Sequence, residues 1–149
     1  MGRFWMDATS RRSFRRFGAI FILMLFLTSL TQVAGVDCPG GHSSSHYGVD
    51  LAAMGWLAAF GGQFAWYANP LMMIMIVQSF LGRQLNIRLA LPMLALALDS
   101  LFWTWWGDDT QMQTICHYGL GFYLWNGCAI SLAALSLFEF FWPLQTKAP

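Results

Sequence analysis

The chain has 149 residues, of which 57% are hydrophobic and 10% charged. An ordinary soluble domain carries roughly 25% charged residues, so this composition excludes a soluble globular fold, a disordered chain, a coiled coil and a disulfide-dense miniprotein. Eight Lys/Arg against seven Asp/Glu leave no basic excess suited to nucleic acid. What remains is an all-α integral membrane protein, with the lipid bilayer as its first partner.

A spanning helix needs about 20 mostly apolar residues, because each adds roughly 1.5 Å and the hydrocarbon core is about 30 Å thick. Four stretches meet that length, 17–36, 51–82, 89–107 and 119–142. Short links between them predict an up-and-down four-helix bundle, one membrane domain covering residues 1–149.

The first stretch is free of charge and follows Arg3, Arg11, Arg12, Arg15 and Arg16. Ser10, Arg11, Arg12 and Phe14 resemble a twin-arginine export signal, and Val33-Ala34-Gly35 is similar to a small-residue cleavage site. Arg15 stands where that signal has a hydrophobic residue, and three further spans follow. Two readings stand: a retained anchor, or a cleaved signal that leaves three helices.

The loop after it, DCPGGHSSSHYGVD, places Cys38, His42, His46 and Asp50 at steps of four. On a helix those positions share one face, a way to present ligands to zinc or copper. Pro39, Gly40, Gly41 and the triple serine oppose helical regularity, which favours a polar loop with exposed histidines. His117, the third histidine, stands in the other loop of the same side, near Asp108 and Asp109.

The second stretch would be about 48 Å long as one helix. Pro70 cannot donate to the carbonyl of Trp66, which predicts a kink there. Gly55, Ala58, Ala59, Gly61 and Gly62 allow close helix approach, within the chain or between copies in a homo-oligomer. Met72, Met73 and Met75 read as core or lipid filling.

Asp99 is the one charge inside the third stretch. An intramembrane carboxylate costs roughly 2.5–3.5 kcal/mol on insertion scales, so it is expected to face the interior and find a partner. Asn126 in the fourth stretch falls at similar depth, Gln63 about a turn deeper and Asn69 deeper again. These four predict an intramembrane polar cluster. Its roles are interhelical hydrogen bonding or, as an alternative, proton or cation transport. Glu139 closes the fourth stretch, within reach of Arg83 or Arg88.

All eight Lys/Arg, including Lys147, fall on one side of a four-span thread, while Asp37, Asp50, Asp108 and Asp109 fall on the other. Both termini are therefore expected in the cytoplasm of a bacterium, with the protein in the inner membrane. Trp103, Trp105 and Trp106 mark the outer interface and Trp142 the inner one. Cys38 and Cys116 then share the oxidising side and predict a disulfide. Four-helix membrane thiol oxidoreductases also carry outer cysteines, but they need two pairs, one a C-x-x-C. Three cysteines and no C-x-x-C exclude that chemistry.

No nucleotide-binding loop, Gly-x-Ser-x-Gly elbow or His-Glu-x-x-His is present, so neither catalysis nor a cofactor is implied. The leading expectation is a non-enzymatic membrane protein that binds a protein partner at its acidic outer face, as an accessory subunit or an immunity-type protein against a membrane-acting toxin. A small transporter or channel component using Asp99 and Asn126 is the alternative. Metal handling through His42, His46 and His117 is the third reading.

Overall fold

Two long helices run directly into the two central strands of a small sheet, and the rest of the chain is arranged around that pair. The structure is a computed structural model that describes residues 8–38, 45–106 and 113–141. In order these are α1 (Ala8–Thr31), β1 (Val33–Asp37), β2 (Ser45–Tyr47), α2 (Gly48–Met54), a 3-10 helix (Gly55–Gly61), a second one (Ala65–Tyr67), α3 (Ala68–Phe80), α4 (Ile87–Asp99), a third 3-10 turn (Ser100–Phe102), β3 (Trp105–Trp106), β4 (Gln113–Tyr118) and α5 (Leu120–Phe141). His42, Asp108, Asp109, Trp142 and Lys147 lie outside the described residues.

The chain is mostly helical, but it is not all-α. The ends of the predicted first and third spans, as β1 and β3, pair with β2 and β4 of the two predicted outer loops in an antiparallel sheet of order β2-β1-β4-β3. The first span is thus helical only to Thr31. Gly35 faces Tyr118 and Val36 faces His117 across the central pair, while Gly35 also faces His46 and Trp105 faces Thr114 at the flanks. Backbone polarity explains the pairing, since loops crowded at one end of a helix ring must satisfy their N–H and C=O groups somewhere. Cys38 and Cys116 form the expected disulfide beside the central ladder, with the Cys38 N–H donating to Thr114 O at 2.9 Å.

α1, α5, α4 and α3 form a closed ring in which each helix packs on the next. The core is methionine- and alanine-rich. Met72, Met75, Met93, Cys128 and Leu132 are fully buried, and Ala68, Ala90, Ala97 and Ala129 let the backbones approach. On α5 the buried positions 122, 126, 129, 133 and 136 follow the three-and-four spacing of one helix face. Outward faces are also apolar: Phe17, Phe21 and Met24 of α1 and Tyr123, Ile130 and Phe141 of α5 are all exposed.

Among the described residues, only α1 and α5 are each long and apolar enough to cross a membrane as single α-helices. The predicted second span is broken into α2, two 3-10 helices and α3, with Gly62 at φ 78° making the break. Pro70 therefore causes no mid-helix kink. It sits in the first turn of α3, where no N–H is required. The predicted third span ends as α-helix at Asp99 and continues as 3-10 turn and strand, placing Trp105 and Trp106 in β3 and not on a helix.

At the end opposite the sheet, Glu139 pairs with neither Arg83 nor Arg88. Its Oε1 accepts from the Arg15 Nε, and both side chains are 8% exposed. Leu85 N–H donates to Glu139 Oε2 at 2.8 Å, and Arg15 Nη1 donates to Gly82 O at 3.1 Å. Ser79 Oγ donates to Arg15 O at 2.9 Å. One charged pair thus ties α1, the α3–α4 link and α5. A buried carboxylate takes the nearest guanidinium that can also be desolvated, and α1 starts early enough to supply it.

Candidate functional site

The sheet does not sit flush on the helices. A cavity of about 450 Å³ lies beneath it, between the end of α1, the α2 and 3-10 segment, the start of α3 and the start of α5. Close backbone contacts hold the sheet against the end of α1. A Cβ on Gly48 would come within 2.3 Å of Ser29 O, and one on Gly119 within 2.1 Å of Val33 O. Both glycines let the entering chains press on the α1–β1 corner, and Gly48 N–H and Gly119 N–H donate to Gln32 O at 3.0 Å and Ala34 O at 2.9 Å.

Aromatic side chains brace the walls, and their polar atoms are already used. Trp66 Nε1 donates to Ala52 O at 2.8 Å, tying α2 to the second 3-10 helix. Trp125 Nε1 donates to Asn69 Oδ1 at 2.7 Å, and Trp103 Nε1 to Asp99 Oδ2 at 3.2 Å. Tyr118 stacks on Phe122 with ring centroids 3.9 Å apart, and its hydroxyl reaches Ser100 O at 3.2 Å and Trp103 O. Burial pushes the Tyr118 phenol above its ordinary value of 10.0, and the neighbouring Tyr123 phenolate adds to the rise. These rings therefore offer the cavity their carbon faces and edges.

The four residues of the predicted intramembrane cluster each take other partners. Among the described residues no hydrogen bond joins Asp99, Asn126, Gln63 and Asn69 to one another. Asp99 holds the Trp103 indole. Asn126 Nδ2 donates to Ser100 Oγ at 3.3 Å and Phe122 O at 3.2 Å. Gln63 Nε2 donates to Trp105 O at 2.5 Å, while Asn69 accepts from Trp125. Gln63 and Asn69 line the cavity; Asp99 and Asn126 are not part of its wall. The unforeseen partners are aromatic residues at the sheet end, which a reading by depth alone treats as interface anchors.

His46 lies in a strand, so the four-residue steps from Cys38 to Asp50 do not share a helix face. Its Nε2 is 3.0 Å from Asp37 Oδ2, a carboxylate that is itself buried. His117 is exposed on β4, opposite Val36, and Cys38 is committed to its disulfide. Among the described residues no group of three or more His, Cys, Asp or Glu side chains could hold a metal ion.

Two acceptors on the wall stand out. The Asp50 carboxylate receives the Tyr47 N–H at 3.2 Å through one oxygen, and Asp50 is exposed. Gln63 is 5% exposed and its Oε1 has no hydrogen-bond partner. That amide is oriented without ambiguity, because Trp105 O can only accept and must therefore meet the NH₂ side. Among the described residues, neither Lys nor Arg lines the cavity. Compared with known proteins, the chain matches no family model, no curated protein and no solved structure.

Proposed function

We propose that the chain is a non-enzymatic, multi-pass membrane protein that binds a small amphipathic ligand under its sheet. The observation that carries the reading is the cavity of about 450 Å³, inside the range of roughly 300–1,000 Å³ typical of ligand pockets and lined by aromatic and aliphatic side chains with a few polar groups. The Trp66 indole and the Ser100 and Tyr118 hydroxyls on the wall hold structural partners, an arrangement suited to shaping a site more than to moving protons or attacking a substrate.

Membrane placement is supported by length as well as composition. The three-residue 3-10 helix joined to thirteen-residue α3, and α4 joined to its three-residue 3-10 turn, would each run about 26 Å, close to the hydrocarbon thickness. With α1 and α5 they make four crossings, which puts the basic termini in the cytoplasm and the sheet outside a bacterial inner membrane. The packing of α1 on α3 and α5, together with the Arg15–Glu139 pair, favours its retention as an anchor. Transport through Asp99 and Asn126 has weaker support, since neither lines the cavity and the Asp99 carboxylate and the Asn126 amide N–H hold local partners.

Photolabelling in native membranes tests the reading. A neutral diazirine alcohol should label Met54, Leu57 and Trp66, and Ala52→Phe, which fills the cavity, should abolish that labelling. Labelling confined to outward faces, or indifferent to Ala52→Phe, overturns it. A reporter fused after Pro149 should be inaccessible from outside intact cells.

A further inference from the structure

The segment from residue 48 to 61 is tied to the sheet end of the molecule at its start, its middle and its finish. It leaves edge strand β2 with the Gly48 N–H on Gln32 O, and the Gln63 amide just beyond it holds Trp105 O of β3, the opposite edge. In between, Ala52 O accepts the Trp66 indole, and a Cβ on Gly55 would come within 2.5 Å of Trp66 Cδ1. The segment therefore runs across one side of the cavity and does not descend along the helix ring. Among the described residues that line the cavity, those that are also exposed are Asp50, Met54 and Leu57. All three are on this segment, at helical steps of four and three, and they mark the cavity's mouth.

The face beside that mouth is apolar and aromatic. α2 buries none of its residues, and Met54, Trp56, Leu57, Phe60 and Phe64 are exposed, Phe60 at 82%. No charged residue occurs between positions 51 and 82. Water is a poor neighbour for such a face, whereas the boundary between lipid headgroups and acyl chains accepts aromatic rings and the apolar side of an in-plane helix. The backbone excludes a deeper position. Past Gly62 the chain is neither helix nor strand at residues 63 and 64, Gly62 and Phe64 are exposed, and irregular backbone facing lipid chains finds no partner for its N–H and C=O groups. Headgroup depth satisfies both requirements.

We infer that residues 48–64 lie in the plane of the outer leaflet at headgroup depth, their aromatic face covered by lipid, so that the cavity opens to that leaflet and takes its amphipathic ligand from there. The inference rests on the reading of this cavity as a ligand site in a membrane protein.

Nitroxide labelling of the full-length protein in phosphatidylcholine vesicles provides the test. Cys38 and Cys116 are bonded and Cys128 is fully buried, so an added thiol alone takes the label. Phe60→Cys, on the aromatic face, is compared with Ser45→Cys at the exposed start of β2 and Ile130→Cys on the outward face of mid-α5. Collision with oxygen, which concentrates in the bilayer, against collision with a water-soluble nickel chelate reads the depth of each label. The Phe60 label should lie about 5–10 Å inside the headgroup boundary, deeper than the Ser45 label and shallower than the Ile130 label. A Phe60 label as open to nickel as the Ser45 label overturns the inference. So does one shielded from both reagents, which puts a second protein copy on that face. The mouth is read with phosphatidylcholine carrying a diazirine beside the ester end of one acyl chain, a probe that stays in the bilayer. It should crosslink to Met54 and Leu57 on the rim. Absence of those crosslinks, while the neutral diazirine alcohol still labels the cavity, overturns entry from the leaflet and leaves the ligand site standing. An Ile130 label open to nickel overturns the membrane reading, and a cavity that the alcohol never labels overturns the ligand-site reading; the inference falls with either.

Discussion

The two ends of the helix ring are held by different chemistry and to different effect. At the Glu139 end, a buried ion pair and its hydrogen bonds draw α1, the α3–α4 link and α5 together. At the sheet end, a disulfide and strand ladders hold the roof, and indole and phenol groups brace the walls of a cavity. The first end converts polar side chains into close packing. The second uses them to line a cavity, so close packing and open volume fall at opposite ends.

Breaking the packed end should cost most. Glu139→Ala leaves the Arg15 guanidinium and the Leu85 N–H buried without their acceptor, a loss of about 3–5 kcal/mol. Denaturant unfolding in detergent measures it, against exposed Arg83→Ala as control. Equal losses in the two variants would erase the contrast. Replacing Cys38 and Cys116 by Ser should cost less, about 2–4 kcal/mol, through a freed loop of sequence separation 78. Here location matters as much as size. Hydrogen exchange should quicken in β1 and β4 while the Leu85 amide stays protected; exchange that quickens equally at both ends denies their independence.

A third substitution sharpens the comparison within one helix entry. Gly119→Ala places a methyl 2.1 Å from Val33 O, where backbone must move, and should destabilise by about 1–3 kcal/mol. Gly127→Ala meets nothing within 4 Å in the middle of α5 and should be neutral or stabilising by up to about 1 kcal/mol. Thermal unfolding of the two side by side reads the difference. A neutral Gly119→Ala would mean that the α1–β1 corner yields easily and does not set the roof.

Much of this was visible in the sequence, and what was not has physical causes. The apolar runs located α1 and α5, and shared sidedness of Cys38 and Cys116 implied their bond. The sheet was hidden because β1, Val-Ala-Gly-Val-Asp, continues the apolar run of α1 without a break in composition. The broken second span was foreshadowed by Gly61 and Gly62, but small residues serve close helix packing equally well. Arg15 reads as one more cation before a membrane helix; only the arrival of Glu139 beside it in space explains its burial. Gln63 and Asn69 were singled out for depth, yet depth gives no azimuth, and their partners proved to be Trp105 and Trp125. Asp50 stood out only as a metal-loop position, and nothing local in the sequence places it on a cavity wall.

The smallest expected effect is also the most specific to the hollow end. The Tyr118 hydroxyl donates to carbonyls of the Ser100–Trp103 turn, so Tyr118→Phe should cost about 1 kcal/mol near neutral pH. The folded phenol is raised above the ordinary 10.0, chiefly by burial, which would dehydrate the phenolate, and secondly by the charge of Tyr123. The folded state therefore holds that proton more tightly than the unfolded chain. This contribution is intact below pH 10 and disappears as pH rises through the folded value. Unfolding free energies at neutral and alkaline pH should consequently converge between wild type and Tyr118→Phe. A gap that stays constant across that range would place the hydroxyl in water and remove one brace from the cavity wall.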